Sequence, residues 1–118
     1  MKLRVSNPAR GSTLAEHADI ADTSSKRREG LLKYPGLKPG EGLWITPCEG
    51  VHTFGMKFPI DVVFLNKKKA VVKVRPNMVR SRISISFRAH SVLELPVGVL
   101  EQSGTTAGDQ LQFEKYEA

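Results

Sequence analysis

A single cysteine, Cys48, excludes any internal disulfide framework in this 118-residue chain. Long hydrophobic runs are missing too. The longest apolar stretches, Ile60 to Leu65 and Val97 to Leu100, are interrupted or short, well below the ~18–20 residues of a membrane-crossing helix. No membrane span is therefore expected. The opening run Met1-Lys2-Leu3-Arg4-Val5-Ser6-Asn7-Pro8 is basic but has no apolar centre, so it does not read as a signal peptide. With the lone cysteine, this makes the cytoplasm the expected compartment. No Gly-x-Gly-x-x-Gly and no Gly-Lys-Ser or Gly-Lys-Thr loop is present to cradle phosphates. RNP and helix-turn-helix signatures are absent as well. Aromatic residues are only 7% of the chain, and the basic part offers only Phe58, Phe64 and Phe87 for stacking on bases. Neither a cofactor nor a nucleic-acid partner is expected.

What is present suits a globular protein. Hydrophobic residues are 40% and charged residues 25%, ordinary values that argue against wholesale disorder. The length allows a single domain over residues 1–118, able to hide roughly two-thirds of its unfolded surface. Lysine and arginine total 18 against 12 acids, for a net +6. The excess is local: Lys57 to His90 holds nine basic residues and one acid, Asp61, or +8. Such a field draws anions, nucleic acid or anionic lipid if the side chains converge. Strand alternation would split them between two faces and leave a solvated basic surface.

Glycine and proline, 10 and 7 in number, bracket short segments, at the roughly 8–12-residue spacing of an all-β sandwich or barrel. Strands are expected at Leu3–Val5, Thr13–Ala21, Gly42–Ile45, Val51–Phe54, Asp61–Leu65, Ala70–Val74, Arg82–Phe87, Ser91–Leu95 and Gln110–Tyr116. In the second, Leu14, Ala18 and Ile20 fall on one face. Pro76 is expected to stop pairing, since it lacks an N–H. In Arg82–Phe87, Ile83, Ile85 and Phe87 alternate with Arg82, Ser84 and Ser86. In the last strand Leu111 and Phe113 are read as inward. Asn66-Lys67-Lys68 reads as a hairpin turn, asparagine tolerating positive φ. Asp22-Thr23-Ser24-Ser25 supplies N-cap candidates for a helix over Lys26–Lys33, with Leu31 and Leu32 facing the core under basic stems. Gly30 inside it suggests close packing, and Pro35 ends it. Val97–Ser103 suggests a further helical turn or two, closed by Gly104. The fold class is therefore mainly β: a single-domain sandwich or distorted barrel with one or two short helices.

Four blocks then carry a resemblance. Asp22-Thr23 followed by Arg28-Glu29-Gly30-Leu31-Leu32 resembles an "A-D-T-x-x-x-R-x-x-G-L-M" element. Val51 to Leu65 resembles an "M-x-x-x-x-P-L-D-I-L-F-L-D" signature, with Ile60 for the common Leu and Asn66 where Asp is frequent. Ala89 to Gly98 resembles "Y-V-L-E-L-P-A-G", and Gly108-Asp109-Gln110-Leu111 resembles "G-D-x-V". In this order, over about residues 14–113, they are those of domain-of-unknown-function family 192. The resemblance implies a compact, mostly β domain of bacteria and archaea with no established activity. Many relatives carry export leaders.

The residues that carry chemistry are scattered. Cys48 and His52 form a Cys-x3-His pair, and both ligate transition metals. On a regular strand they would lie about 13 Å apart, so only a turn at Glu49-Gly50 unites them, with Asp61, His90 or Glu94 completing a site. Cys48, His52 and Asp61 also suggest a nucleophile set, although Glu49 beside Cys48 opposes the thiolate. Asp61 opens an apolar strand and must be hydrogen-bonded or paired. It either accepts backbone N–H groups and fixes the turn at Pro59, or anchors a ligand with Lys57, His52 or an arginine nearby. Glu94, between Leu93 and Leu95, poses the same alternative or simply faces solvent. Trp44, Phe54, Met56 and Phe58 read as core or as a pocket lining around those polar groups. Arg28 and Glu29 read as an exposed pair or a packed stem, and Gly108-Asp109 as a turn. His17 and His90 are weak signals.

The leading expectation is a non-catalytic module that binds a small ligand or a protein. Its candidate ligand residues are His52, Asp61, Trp44, Phe54, Met56 and Glu94. An enzyme or metal site around His52, Asp61 and Cys48, with His90 as a further weak ligand, is the alternative. Binding of an anionic polymer by residues 57–90 is the second alternative.

Overall fold

The computed structural model describes residues 1–117. Its centre is the run Ile-Asp-Val-Val-Phe-Leu. This forms a strand, Ile60–Leu65, in which all six residues are buried. A strand with no solvent face must be covered on both sides, and the rest of the chain supplies both covers.

In chain order the elements are β1 (Lys2–Asn7), β2 (Ser12–Ala21), α1 (Ser24–Glu29), β3 (Glu41–Ile45), β4 (Gly50–His52), β5 (Ile60–Leu65), β6 (Val71–Met78), β7 (Ile83–Ile85), β8 (Ser91–Pro96), α2 (Val99–Ser103) and β9 (Gln112–Tyr116), with a 3-10 turn at Pro8–Arg10. Seven strands form one mixed sheet in the order β6-β5-β8-β3-β2-β1-β9, and β4 pairs with β7 in a separate ribbon. The pairing of β2 with β3, joined through α1, is parallel. The two ends of the sheet meet. Val71 N donates to Asp109 O and Gly108 N to Val71 O, both at 2.8 Å, around a bridge between Ala70 and Gln110. The sheet thus takes the distorted-barrel form of the mainly β expectation. No helix among the described residues is long and apolar enough to cross a membrane.

Strand alternation sends alternate side chains to two cores. The inner one gathers Leu3, Val5, Leu14, Trp44, Val63, Leu65, Leu93 and Leu95 from around the curl. The outer one, under α1 and the β4–β7 ribbon, holds Leu43, Ile45, Ile60, Val62, Phe64 and Val92 with Leu31, Val51 and Met56.

Several local expectations change. The helix starts and ends earlier, at Ser24–Glu29. Thr23 caps it by accepting from Lys26 N. Leu31 is buried but Leu32 is 36% exposed. Gly30 is not a packing residue: a Cβ there would have only Arg27 O as close as 3.9 Å. It is needed because its φ is +50° and ψ −129°, a conformation that suits glycine. In β2 the register against β1 shifts between Ala15 and Ala18, so Leu14 and Ala15 are both buried while Ile20 is only half-buried. Strand β6 runs past Pro76, whose missing N–H is absorbed in a register shift between the Val62–Arg75 and Ile60–Met78 pairs. At the β5–β6 turn Asn66 Oδ1 accepts from Lys68 N and Ala70 N, and the positive φ falls on Lys69. Phe113 is half-buried against Trp44. In β7 the alternation holds with its polar face inward: Ser84 is buried and Ile83 and Ile85 are exposed.

Candidate functional site

A cleft of about 360 Å³ lies between α1 and the outer face of the sheet, near the lower end of the size range of small-molecule sites. Arg27, Arg28 and Glu29 come from α1, Leu31 from the segment after it, Ile45 from β3, and Cys48 from the loop after β3. Val51 and His52 from β4, Met56, and Glu94 from β8 complete it.

Glu94 is the polar feature of the cleft. In the sheet it stands opposite Leu43 of β3 and Val62 of β5, both outer-core residues. It is 5% exposed. Its carboxyl makes no hydrogen bond and no ion pair among the described residues. Burial therefore acts unopposed and pushes its pKa up to about 7. Gly42 lets β3 approach this strand, because a Cβ there would lie 3.0 Å from the Glu94 carbonyl oxygen.

Arg27 and Arg28 lie in the last turn of α1, and the turn at Gly30 brings Leu31 back to line the same cleft. Arg27 donates to Asp22 O at 3.2 Å and Ser24 Oγ at 3.4 Å. Glu29 pairs with Lys33 at 3.0 Å, not with Arg28. Cys48 donates its thiol to Gly50 O at 3.0 Å. Burial pushes that thiol up from its ordinary pKa, the opposite of what a thiolate nucleophile requires.

Of the residues singled out from the sequence, Cys48, His52, Met56 and Glu94 meet at this cleft. Asp61 does not join them. It is 1% exposed, and Asn77 N, Gly98 N and Leu100 N donate to it at 2.8, 3.1 and 2.9 Å. That is the backbone-holding role, applied to the β6 bulge and the start of α2 instead of the turn at Pro59. Trp44 belongs to the inner core, edge-on to Phe113 at 5.1 Å, with Lys69 Nζ 5.1 Å from its ring. Phe54 is 48% exposed, its ring 5.7 Å from that of His52. Phe58 is partly buried against the outer core. His90 is engaged through its main chain, which accepts from Cys48 N at 2.8 Å. Among the described residues, no three His, Cys, Asp or Glu side chains converge as a metal site would need. The sequence pattern alone places neither Arg27 nor Ile45 at a site, because both reach the cleft only through the packing of α1 and β3 around it.

Fold and cleft together define a small curled-sheet domain with one buried, unpaired carboxyl open to a cavity. The chain belongs to domain-of-unknown-function family 192, "Uncharacterized ACR", whose profile matches residues 5–113. It is 29% identical over 113 residues to a UPF0127 protein of Thermococcus sibiricus, covering 92% of this chain and 73% of that one. A UPF0127 protein of Thermococcus gammatolerans is 26% identical over the same shares. Two crystal structures share the fold. A protein of unknown function from Novosphingobium aromaticivorans superimposes with a TM-score of 0.80 at 19% identity, covering 95% of this chain and 84% of that one. A "putative transcription regulator" from Sinorhizobium meliloti gives 0.82 at 23% identity, covering 95% and 92%.

Proposed function

We propose that the protein is a non-catalytic module that binds a small ligand in the cleft between α1, β4 and β8. The observation that carries this reading is Glu94: a carboxyl 5% exposed, without a partner, at the edge of a cavity. An unpaired buried polar group costs stability unless something satisfies it. A ligand donor, such as an amine, amide or hydroxyl, would satisfy it. Leu31, Ile45, Val51 and Met56 would take an apolar body, and Arg27 and Arg28 an anionic group at the other end. His52 and Cys48 serve as walls. The free cysteine fits a protein working in a reducing compartment such as the cytoplasm.

The test needs no ligand. If Glu94 is kept for binding, replacing it with an apolar residue of similar length, Glu94→Met, raises the unfolding free energy at neutral pH. A drop in stability would make Glu94 a structural residue and remove the ground for the site. Screening small amines, amides and hydroxy compounds for melting shifts that the variant abolishes would then identify the ligand class.

A further inference from the structure

The ribbon β4–β7 presents an apolar face to solvent. Ile83 is 60% exposed, Ile85 48% and Phe87, just beyond, 84%. Phe54 and Val79, 48% and 41% exposed, are held beside them. Buried Thr53 ties their segments together: its N–H donates to Arg82 O at 2.9 Å, its hydroxyl to Val79 O, and Arg82 N donates back to that hydroxyl. The patch is therefore built, not frayed. Large apolar side chains left exposed on segments tied together in this way mark a candidate interaction site.

Cations frame it. Lys73 Nζ donates to Ile85 O at 2.9 Å. Arg80 and Arg82 lead into Ile83, and Arg88 follows Phe87. None of these four forms an ion pair among the described residues. One acid, Glu49, is brought alongside through the bond from Ser86 N to Glu49 O, and the cations remain in excess.

We propose that this face docks on an anionic lipid surface. Phe87 and Ile83 enter the interfacial layer, while Arg80, Arg82 and Arg88 meet headgroup phosphates. Charge complementarity selects an anionic occupant. The shape and type of the apolar groups select lipid among anions. Ile83, Ile85 and Val79 offer bases nothing to stack on, and Phe54 and Phe87 are the only rings in the patch, too few for the stacking platform of a single-strand site. A side chain as exposed as Phe87 projects, whereas a peptide helix is received by a groove. A bilayer accepts projecting apolar tips, and the combination of apolar insertion with cations is what makes such attachment stable.

The experiment is co-sedimentation of the full chain with phosphatidylcholine vesicles, pure or containing about one-third phosphatidylglycerol. Binding is expected to the anionic vesicles only, and to weaken as salt rises. Arg80→Gln/Arg82→Gln/Arg88→Gln should lower the partition coefficient on the order of 100-fold, and Ile83→Ser/Phe87→Ser at least about tenfold. Both variants change exposed side chains, so unchanged melting temperatures will verify that they fold. Three results would overturn the assignment: no difference between the two vesicle types, binding indifferent to the Ile83 and Phe87 changes, or retention on single-stranded oligonucleotide at a salt concentration where vesicles are released. Concentration-dependent dimerisation lost in Ile83→Ser/Phe87→Ser would hand the face to a second copy of the chain instead.

Discussion

Asp61 and Glu94 stand one step out of register on neighbouring strands: Asp61 is opposite Leu95 and Glu94 is opposite Val62. Because side chains alternate along a strand, the two carboxyls lie on opposite faces of one sheet. Each is surrounded by hydrocarbon, but the inner one is saturated by backbone N–H groups and the outer one is left without a partner. The same covalent group thus serves as a structural clamp at one position and as a vacant acceptor at the next. That difference separates a fold determinant from a candidate site.

Asp61 is expected to matter for stability. Gly98 N and Leu100 N donate to one carboxylate oxygen and Asn77 N to the other. In Asp61→Asn one of these oxygens becomes an NH2, which sets donor against donor. Hydrogen bonds to a charged group contribute about 1.5–3 kcal/mol each, and the stranded backbone groups add their desolvation cost. The variant should lose about 2–4 kcal/mol in urea unfolding, with faster amide exchange at Leu100. Wild-type-like exchange there would show that α2 is held by something else.

Glu94 predicts a pH dependence of the opposite kind to that of a salt-bridged acid. Its folded pKa of about 7 stands above the ordinary 4.5. Between these values the folded state keeps a proton that the unfolded chain has released, so stability falls as pH rises through that window and levels off above it. The full loss is on the order of 3 kcal/mol. Glu94→Gln should flatten the curve between about pH 5 and 7 and be the more stable protein at pH 8. Parallel curves for wild type and variant would mean that the carboxyl is solvated.

Much of this fold was legible because its signals are local. The apolar run at Ile60–Leu65 could only be an interior strand, and proline and glycine marked most boundaries. The burial of Asp61 followed from its neighbours in sequence. What escaped reading depends on which face of an element meets the body. Alternation in Ile83-Ser84-Ile85 defines two faces without saying which is inward, and a three-residue ribbon strand is placed by its partner Val51 and by Thr53, not by its own pattern. Trp44 and Glu94 look like one pocket in the sequence for the same reason: nothing within either strand reveals that they point to different cores. The cleft combines Arg27, Cys48 and Glu94 from segments distant in sequence, so only the folded chain displays it.

Gly42 should tolerate no side chain. A Cβ would meet the Glu94 carbonyl oxygen at 3.0 Å and Leu95 Cδ2 at 3.1 Å, and the oxygen belongs to a paired strand that cannot move alone. Gly42→Ala is expected to cost about 1–3 kcal/mol, the range for overpacking in a filled interior. It should also displace the β8 backbone beneath the cleft, altering the pH midpoint assigned to Glu94. Thermal unfolding at pH 5 and pH 8 reads both effects, and a neutral substitution at both would show that the strands separate freely.

Gly30 tests conformation apart from crowding. Helix propensity alone says that Gly30→Ala, at the end of α1, stabilises the protein by about 0.5–1 kcal/mol. The backbone says otherwise: with φ +50° and ψ −129° an alanine there is strained, at a cost on the order of 1–3 kcal/mol. Space is not the obstacle, the nearest atom being Arg27 O at 3.9 Å. The expected result is therefore a lower urea midpoint with no change in the near-ultraviolet spectrum of the aromatic side chains. A rise would mean that α1 can extend toward Lys33, closing the turn that brings Leu31 back over the outer core and shifting Arg27 and Arg28 away from the cleft.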